Sequence, residues 1–492
     1  MKVKHKAVNA TLWTLVRVGF DQFTSFVVFV VVARLLGPAD VGIFTLGMML
    51  TDFIRVFSTS GFADAVTKAT PEDEENVARA AFWGNMATSV VCAVLITLAA
   101  PYISAVMHAD RLTPILIALA WSTPITAAAG THMARQMRRF GHKTLAIRSL
   151  LSGVIGGGTA ILAAHMGWGV WSLVVQRFIG ESVTMVTAFM AFRWMPRFPK
   201  SIADVRAILP FSLQMSFSKL LAVVIARTHD VVIGAFAGPV SVGIYRVAKR
   251  INDMMTMATT TPLSTVSVNY FVSVREDPVA FRNSFLRIVT ISSTLTFPAF
   301  FGLAAVSDVL TPLLFGHKWD SSIMIQQLLS PICVPTVVSL FTLPVLTAFG
   351  QSKKATQMTM IQLVITVASA LIAAPFGIVA IVLSLLFRLY VMIPYQLIII
   401  EKHTGCSTWE VLLNISKPLA ASLAMAFLVW LSLHSFLGFV PFAFVRLVLA
   451  ALEGAALYIA AIAVLDRSSL RWIADMAKGM VGRKLAFGQQ KA

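Results

Sequence analysis

Charge is scarce in this chain: Asp, Glu, Lys and Arg supply 13% of 492 residues, against about a quarter in a soluble domain. A surface so poor in ions cannot face water all round. With 57% hydrophobic residues, the chain reads as a polytopic membrane protein. Long polar segments are missing as well. The longest connections, 193–206 and 401–417, and the segment 467–492 are each far below the roughly 50 residues of a small domain, which excludes an appended soluble catalytic domain. Cysteine is almost absent. Cys92, Cys333 and Cys406 make no C-x-x-C pair, so neither a disulfide framework nor a zinc ribbon is available. Reactive motifs are lacking too: there is no Walker loop and no H-E-x-x-H, and His403 with Cys406 forms a lone H-x-x-C. The expectation is a protein without catalytic residues, metal or cofactor, and therefore not an enzyme.

Long apolar runs are what the chain has instead. A bilayer core takes about 20 residues per helix, and fourteen stretches of that length fall at 10–33, 43–67, 81–106, 112–131, 144–165, 168–192, 208–229, 242–271, 284–315, 320–348, 354–374, 376–400, 415–436 and 440–465. The first follows a basic start (Lys2, Lys4, Lys6) but is interrupted by Arg17 and Asp21. No small-residue cleavage site follows, so it is expected to be a retained helix rather than a signal peptide.

Basic residues orient these spans, because positively charged loops resist translocation. With the N-terminus inside, twenty-six of the forty Lys and Arg fall on the cytoplasmic side. Five (Arg34, Arg111, Arg227, Lys318, Arg446) fall outside and nine lie within spans. Both termini are thus expected in the cytoplasm. The formal charge of +18 is topology rather than a nucleic-acid-binding patch, since no basic domain exists to carry one. Trp13, Trp83, Trp168, Trp171, Trp194, Trp319, Trp409 and Trp472 lie at helix ends or in interfacial segments, the pattern of an interfacial aromatic belt. Leu470, Trp472, Ile473 and Met476 among Arg467, Arg471 and Lys478 suit a helix lying on the membrane. The acidic run Glu72 to Glu75 reads as a solvated loop.

The chain also repeats itself. Gly37-Pro38-Ala39-Asp40-Val41-Gly42-Ile43-Phe44 returns as Gly238-Pro239-Val240-Ser241-Val242-Gly243-Ile244-Tyr245, and Asp52 returns as Asp253. Further on, Leu98-Ala99-Ala100 matches Leu303-Ala304-Ala305, Phe140-Gly141 matches Phe349-Gly350, and Gly167 matches Gly377. An ordered series with slowly growing offset indicates duplication. Six spans per unit is an even number, so the repeats are parallel. The resulting expectation is an all-α protein with a six-helix lobe at 1–192, a cytoplasmic linker at 193–207 and a second six-helix lobe at 208–400. The lobes surround a central cavity. Two further helices with a preceding amphipathic segment occupy 401–466, and a basic cytoplasmic tail occupies 467–492. This is transporter architecture.

The segment "ARLLGPADVGIFTLG" from Ala33 to Gly47, the turns "FGHK" and "FGQSKK" at 140 and 349, and "LLFGHKW" at 313–319 resemble the polysaccharide transport family. That family, with its Wzx-type flippases, lies within the multidrug, oligosaccharidyl-lipid and polysaccharide exporter superfamily. The similarity covers essentially the whole chain. It implies two six-helix lobes, a cavity lined mainly by spans 1, 2, 7 and 8, and outward flipping of undecaprenyl-diphosphate-linked oligosaccharides across the bacterial inner membrane. It further implies partners among membrane lipids and the polysaccharide polymerase and export machinery.

Charges inside spans are costly and mark a wet interior. Nine basic residues face six acids there, Asp21, Asp52, Glu181, Asp253, Asp308 and Glu453, a surplus that favours an anion. Arg17, Arg55, Lys219 and Arg250 form the expected diphosphate-binding set, chosen by span and depth. Lys219 has no acid within a helical turn and aligns within one residue of Arg17 across the repeat. Asp21, Asp52 and Asp253 are candidate coupling acids. Against both roles stands local neutralisation: Arg17 with Asp21, Arg177 with Glu181 and Lys249 with Asp253 are i,i+4 pairs, and Asp52 with Arg55 is i,i+3. A drug/cation antiporter is the first alternative function, disfavoured by the cationic surplus. A membrane glycosyltransferase or polymerase is the second, disfavoured by short external loops.

Overall fold

The computed structural model of the chain describes residues 2–56, 61–138, 142–191, 194–260, 271, 273–274 and 276–466. The basic tail with its amphipathic stretch lies outside the described residues, as do the side chains of residues 2–17, Arg17 included. Every regular element among the described residues is helical, and eleven helices are long and apolar enough to cross a membrane. Two of these are composite. Ile202–Thr259 has 58 residues and Lys353–Thr404 has 52, roughly 87 and 78 Å at 1.5 Å per residue, more than twice a bilayer core of about 30 Å. Each therefore makes two passes. The first breaks at Gly238, where φ is 77° and ψ 175°. The second breaks at Gly377, with φ 85°. Its partner in the repeat, Gly167, has φ 81°, so both positions need a residue without a Cβ.

Two compact units emerge. The first holds residues 1–246 and 366–381. It begins with α1 (Lys2–Leu35), α2 (Pro38–Arg55), α3 (Gly61–Lys68), α4 (Glu74–Val106), α5 (Leu112–Trp121) and α6 (Thr123–Arg138), continues through α7 (His142–His165) and α8 (Trp171–Ala191), and includes the start of α9 (Ile202–Thr259). A two-residue turn joins α1 to α2. Gly37 caps α2 and Pro38 opens it at its first position, where the missing N–H costs nothing. α7 packs between α1 and α8, and its glycines make that possible. A Cβ on Gly157 would stand 2.4 Å from Val28 Cγ2, and one on Gly156 3.3 Å from Gly180 Cα, so the Gly-x-x-x-Gly run of α7 is a packing face.

Two readings of the sequence change here. The span expected to end at 229 continues as helix to Gly238, so Arg227 and Asp230 are not loop residues. The apolar run Val231 to Phe236 is long enough to carry the helix another two turns. Second, Glu74 and Glu75 are not loop residues: they open α4, where acids suit the helix dipole, and they hold Arg135 at 3.0 and 3.1 Å. The start of the linker packs on this unit. Trp194 Nε1 donates to Glu75 at 2.9 Å, Arg135 lies over its ring, His132 meets its carbonyl at 3.0 Å, and Trp83 stacks on Phe198.

The second unit holds 247–365 and 382 onward. It contains the rest of α9, then α10 (Pro278–Ala305), α11 (Ser307–Phe315), α12 (Ser321–Leu329) and α13 (Cys333–Ala348), followed by most of α14 (Ser352–Ala373) and α15 (Gly377–Thr404), and last α16 (Thr408–His434) and α17 (Ala443–Leu465). Asp277 caps α10, accepting from the N–H groups of Val279 and Ala280. The core is aromatic, built on Phe271, Phe281, Phe285, Phe297, Phe300 and Phe341. Trp319, expected in the interfacial belt, is wholly buried. α16 lies along α10, joined by the ion pair of Arg282 with Glu410. Glu410 also completes a capping box with Ser407. Cys406, just before that cap, is buried, and burial pushes its thiol above the ordinary range, which leaves it unreactive. α17 is tied in by Tyr458, whose hydroxyl donates to the Thr294 carbonyl at 2.9 Å. The two C-terminal helices thus pack on the second unit.

Candidate functional site

α2, α8 and α9 each bring charge to one place in the first unit. Arg227 on α9 donates to Asp52 on α2 at 2.6 Å and to Asp230, one turn further along its own helix, at 3.1 Å. Asp52 lies 3.8 Å from Arg55, and Arg55 lies 3.9 Å from Glu181 on α8. Glu181 closes the series on Arg177 at 2.6 Å. Acid and base alternate along a ladder, Asp230, Arg227, Asp52, Arg55, Glu181, Arg177, with no net charge. Alternation is what membrane burial demands, because an unpaired ion inside costs several kcal/mol. The Arg55–Asp52 and Arg55–Glu181 separations are ion-pair distances, beyond hydrogen-bond length.

Beside the ladder is a cavity of about 480 Å³. α1 lines it with Asp21 and Thr24, α2 with Phe44, α7 with Ser149 and Ser152, and α8 with Gln176, Arg177, Glu181 and Thr184. Ser152 donates to the Gly180 carbonyl at 2.8 Å and so joins α7 to α8. Glu181 belongs to both features, bordering the cavity while standing within reach of Arg55. The cavity is polar in a membrane-embedded bundle, and its glycines, Gly153, Gly156 and Gly180, expose backbone to it.

The expected site residues divide. Asp52 and Arg55 are in the ladder, and Asp21 lines the cavity. Lys219 sits apart on α9 with its Nζ 2.6 Å from Asp64 of α3. That partner is 155 residues away, out of sight of any helical-turn rule. Arg250 and Asp253 are half-buried on the part of α9 that belongs to the second unit, and Arg17 falls outside the described side chains. Sequence reasoning assigned Arg227 to an external loop and Arg177 with Glu181 to local pairing. Their participation was signalled by the i,i+3 spacing of Arg227 with Asp230 inside an apolar run and by the i,i+4 spacing of Arg177 with Glu181. Among the described residues no group of His, Cys, Asp and Glu could hold a metal ion.

Another contact decides how α2 meets α9. A Cβ built on Gly42 would lie 1.7 Å from the Pro239 carbonyl oxygen, and one on Gly243 would lie 2.0 Å from that of Pro38. The two copies of the Gly-Pro-x-x-x-Gly motif therefore touch each other reciprocally, glycine against the carbonyl of the other copy's proline. Further down, Gly61 meets the Ser212 carbonyl in the same way, at 2.0 Å from a notional Cβ. Backbones can come this close only where no side chain intervenes.

This motif lies within residues 31–324, which match the family described as polysaccharide biosynthesis protein. The chain belongs to that family. Its eleven helices long and apolar enough to cross a bilayer make it a multi-pass membrane protein. It is 24% identical over 466 residues to the succinoglycan biosynthesis transport protein ExoT of Rhizobium meliloti (strain 1021), covering 94% of each. It is 22% identical to the lipopolysaccharide biosynthesis protein WzxC of Escherichia coli (strain K12), covering 67% of each. In fold it is similar to the lipid II flippase MurJ in an inward closed conformation, with TM-score 0.75 at 12% identity over 94% of this chain and all of that one. An inward-facing multidrug resistance MATE family transporter gives TM-score 0.62 at 16% identity, over 80% of this chain and 99% of that one.

Proposed function

We propose that this protein is a flippase that moves undecaprenyl-diphosphate-linked oligosaccharide units from the cytoplasmic to the outer leaflet of the bacterial inner membrane, for exopolysaccharide, capsule or O-antigen assembly. The observation that carries the reading is the end-to-end similarity to a succinoglycan biosynthesis transport protein, which spans 94% of both chains. Two parallel six-helix lobes, 1–192 and 208–400, rock about a central cavity and expose it to each side in turn. Both termini and the basic connections face the cytoplasm. Arg17, Arg55, Lys219 and Arg250 bind the diphosphate, for which the planar guanidinium is the best available partner. Arg55 is supported most directly, since it stands between Asp52 and Glu181, and Glu181 borders the cavity. Asp21, Asp52 and Asp253 are the acids available for ion coupling. The membrane potential assists, because carrying two negative charges outward gains up to about 4.6 kcal/mol per 100 mV. Polymerase and export machinery receive the delivered unit.

Deleting the gene and resolving the lipid-linked intermediates by leaflet tests this directly. A lipid-linked repeat unit accumulating on the cytoplasmic face is the expected result. Unchanged delivery to the outer leaflet would refute it.

A further inference from the structure

We propose that the polar cavity of the first unit is a saccharide subsite, holding a sugar ring of the cargo next to the Arg177 end of the ladder, one carboxylate away from Arg55. The inference rests on the flippase reading and adds to it where the sugar is recognised.

The lining chooses the ligand class. A volume of about 480 Å³ lies within the range of small-molecule sites, roughly 300 to 1,000 Å³. An apolar ligand, the polyprenyl tail included, would strip water from Gln176, Thr24, Ser149 and Thr184 and return no hydrogen bond. An anion would meet the carboxylates of Asp21 and Glu181, both in the wall. A bare metal cation needs six or more oxygens closed round it at about 2.3 to 2.6 Å, and so wide a space provides no such cage. The Glu181 charge is in any case already answered by Arg177 at 2.6 Å. A polyol meets none of these objections. Each hydroxyl both donates and accepts, so one ring can donate to Asp21 and Glu181, accept from Arg177, and exchange bonds with the carboxamide of Gln176. Phe44 supplies an apolar face for the C–H side of the ring. Glu181 then couples the subsites, since its carboxylate borders the cavity and stands 3.9 Å from Arg55.

The test is binding to the purified full-length protein in lipid nanodiscs. The probes are undecaprenyl diphosphate alone and undecaprenyl diphosphate bearing one glucose, galactose, N-acetylglucosamine or glucuronic acid. Wild-type protein should bind at least one glycosylated carrier more tightly than the bare carrier. Gln176→Leu combined with Thr184→Val should erase that gain, about five- to 150-fold for two hydrogen bonds lost, while binding the bare carrier like wild type. If that pair does not fold, Ser149→Ala with Thr24→Val carries the same expectation. A gain that survives the variants, or no gain in wild type with any of the four sugars, overturns the subsite. Loss of bare-carrier binding together with the gain also overturns it, as does an altered sodium or proton dependence with the gain intact. Wild-type protein that binds none of the probes, bare carrier included, would instead sink the flippase reading on which the subsite rests.

Discussion

Replacing Gly42 by Ala adds one methyl group where the structure leaves no space. The new carbon would stand 1.7 Å from the Pro239 carbonyl oxygen, whereas real Cβ contacts do not fall under 3.0 Å. α2 and α9 must therefore separate by at least about 1.3 Å at this point. The obstacle is backbone on both sides, so no side chain can turn away. Overpacking of this kind costs about 1 to 3 kcal/mol, a five- to 150-fold shift against the arrangement in which the two motifs touch. Gly243→Ala, 2.0 Å from the Pro38 carbonyl, should act in the same direction. Spin labels at positions 40 and 241, read by pulsed electron resonance, should show a longer or broader distance distribution in both variants, with a lower unfolding temperature. Gly158→Ala is the control, because a Cβ there meets nothing within 4 Å. Should the Gly42 and Gly243 variants match that control in both readouts, the reciprocal contact is not what sets the approach of these helices.

Other consequences are equally direct. Arg227→Gln removes the 2.6 Å partner of Asp52 and the 3.1 Å partner of Asp230 and should destabilise the protein by about 3 to 5 kcal/mol, and Asp52→Asn added to it should recover part of that loss in thermal unfolding. Arg55→Lys should keep more transport than Arg55→Gln at equal membrane abundance. Full rescue of the Gln variant by Asp52→Asn would mean that the pair, not a phosphate contact, was the defect. Impermeant thiol reagents on intact cells without an outer-membrane barrier should label a cysteine at position 40 and spare one at 138, and the reverse pattern would invert the topology. Tyr458→Phe should cost about 0.5 to 1.5 kcal/mol through the hydrogen bond lost to Thr294, and an unchanged unfolding temperature would deny that bond any part in holding α17.

Much of the fold was legible because bilayer physics is one-dimensional along the chain. Apolar run length gives the helices. The repeat exposed the paired motifs at Gly37 and Gly238. The misplaced end of the span near 229 has a related cause: Arg227 and Asp230 look like loop residues only while their partner on α2 is unknown. Trp319 misled in the same fashion, since its place near a span end says nothing of the core around it.

The sequence by itself determined the membrane-spanning all-helical class and the presence of costly charge within the spans. Those follow from transfer energies and periodicities that act on residues near one another in the chain. Only the tertiary structure decided which charge answers which. Arg227 meets Asp52 across 175 residues and Lys219 meets Asp64 across 155. Gly42 meets Pro239 although both motifs were visible all along. Pairing energy between ions and the clearance between two backbones depend on distance in space, and no helical spacing rule reaches that far.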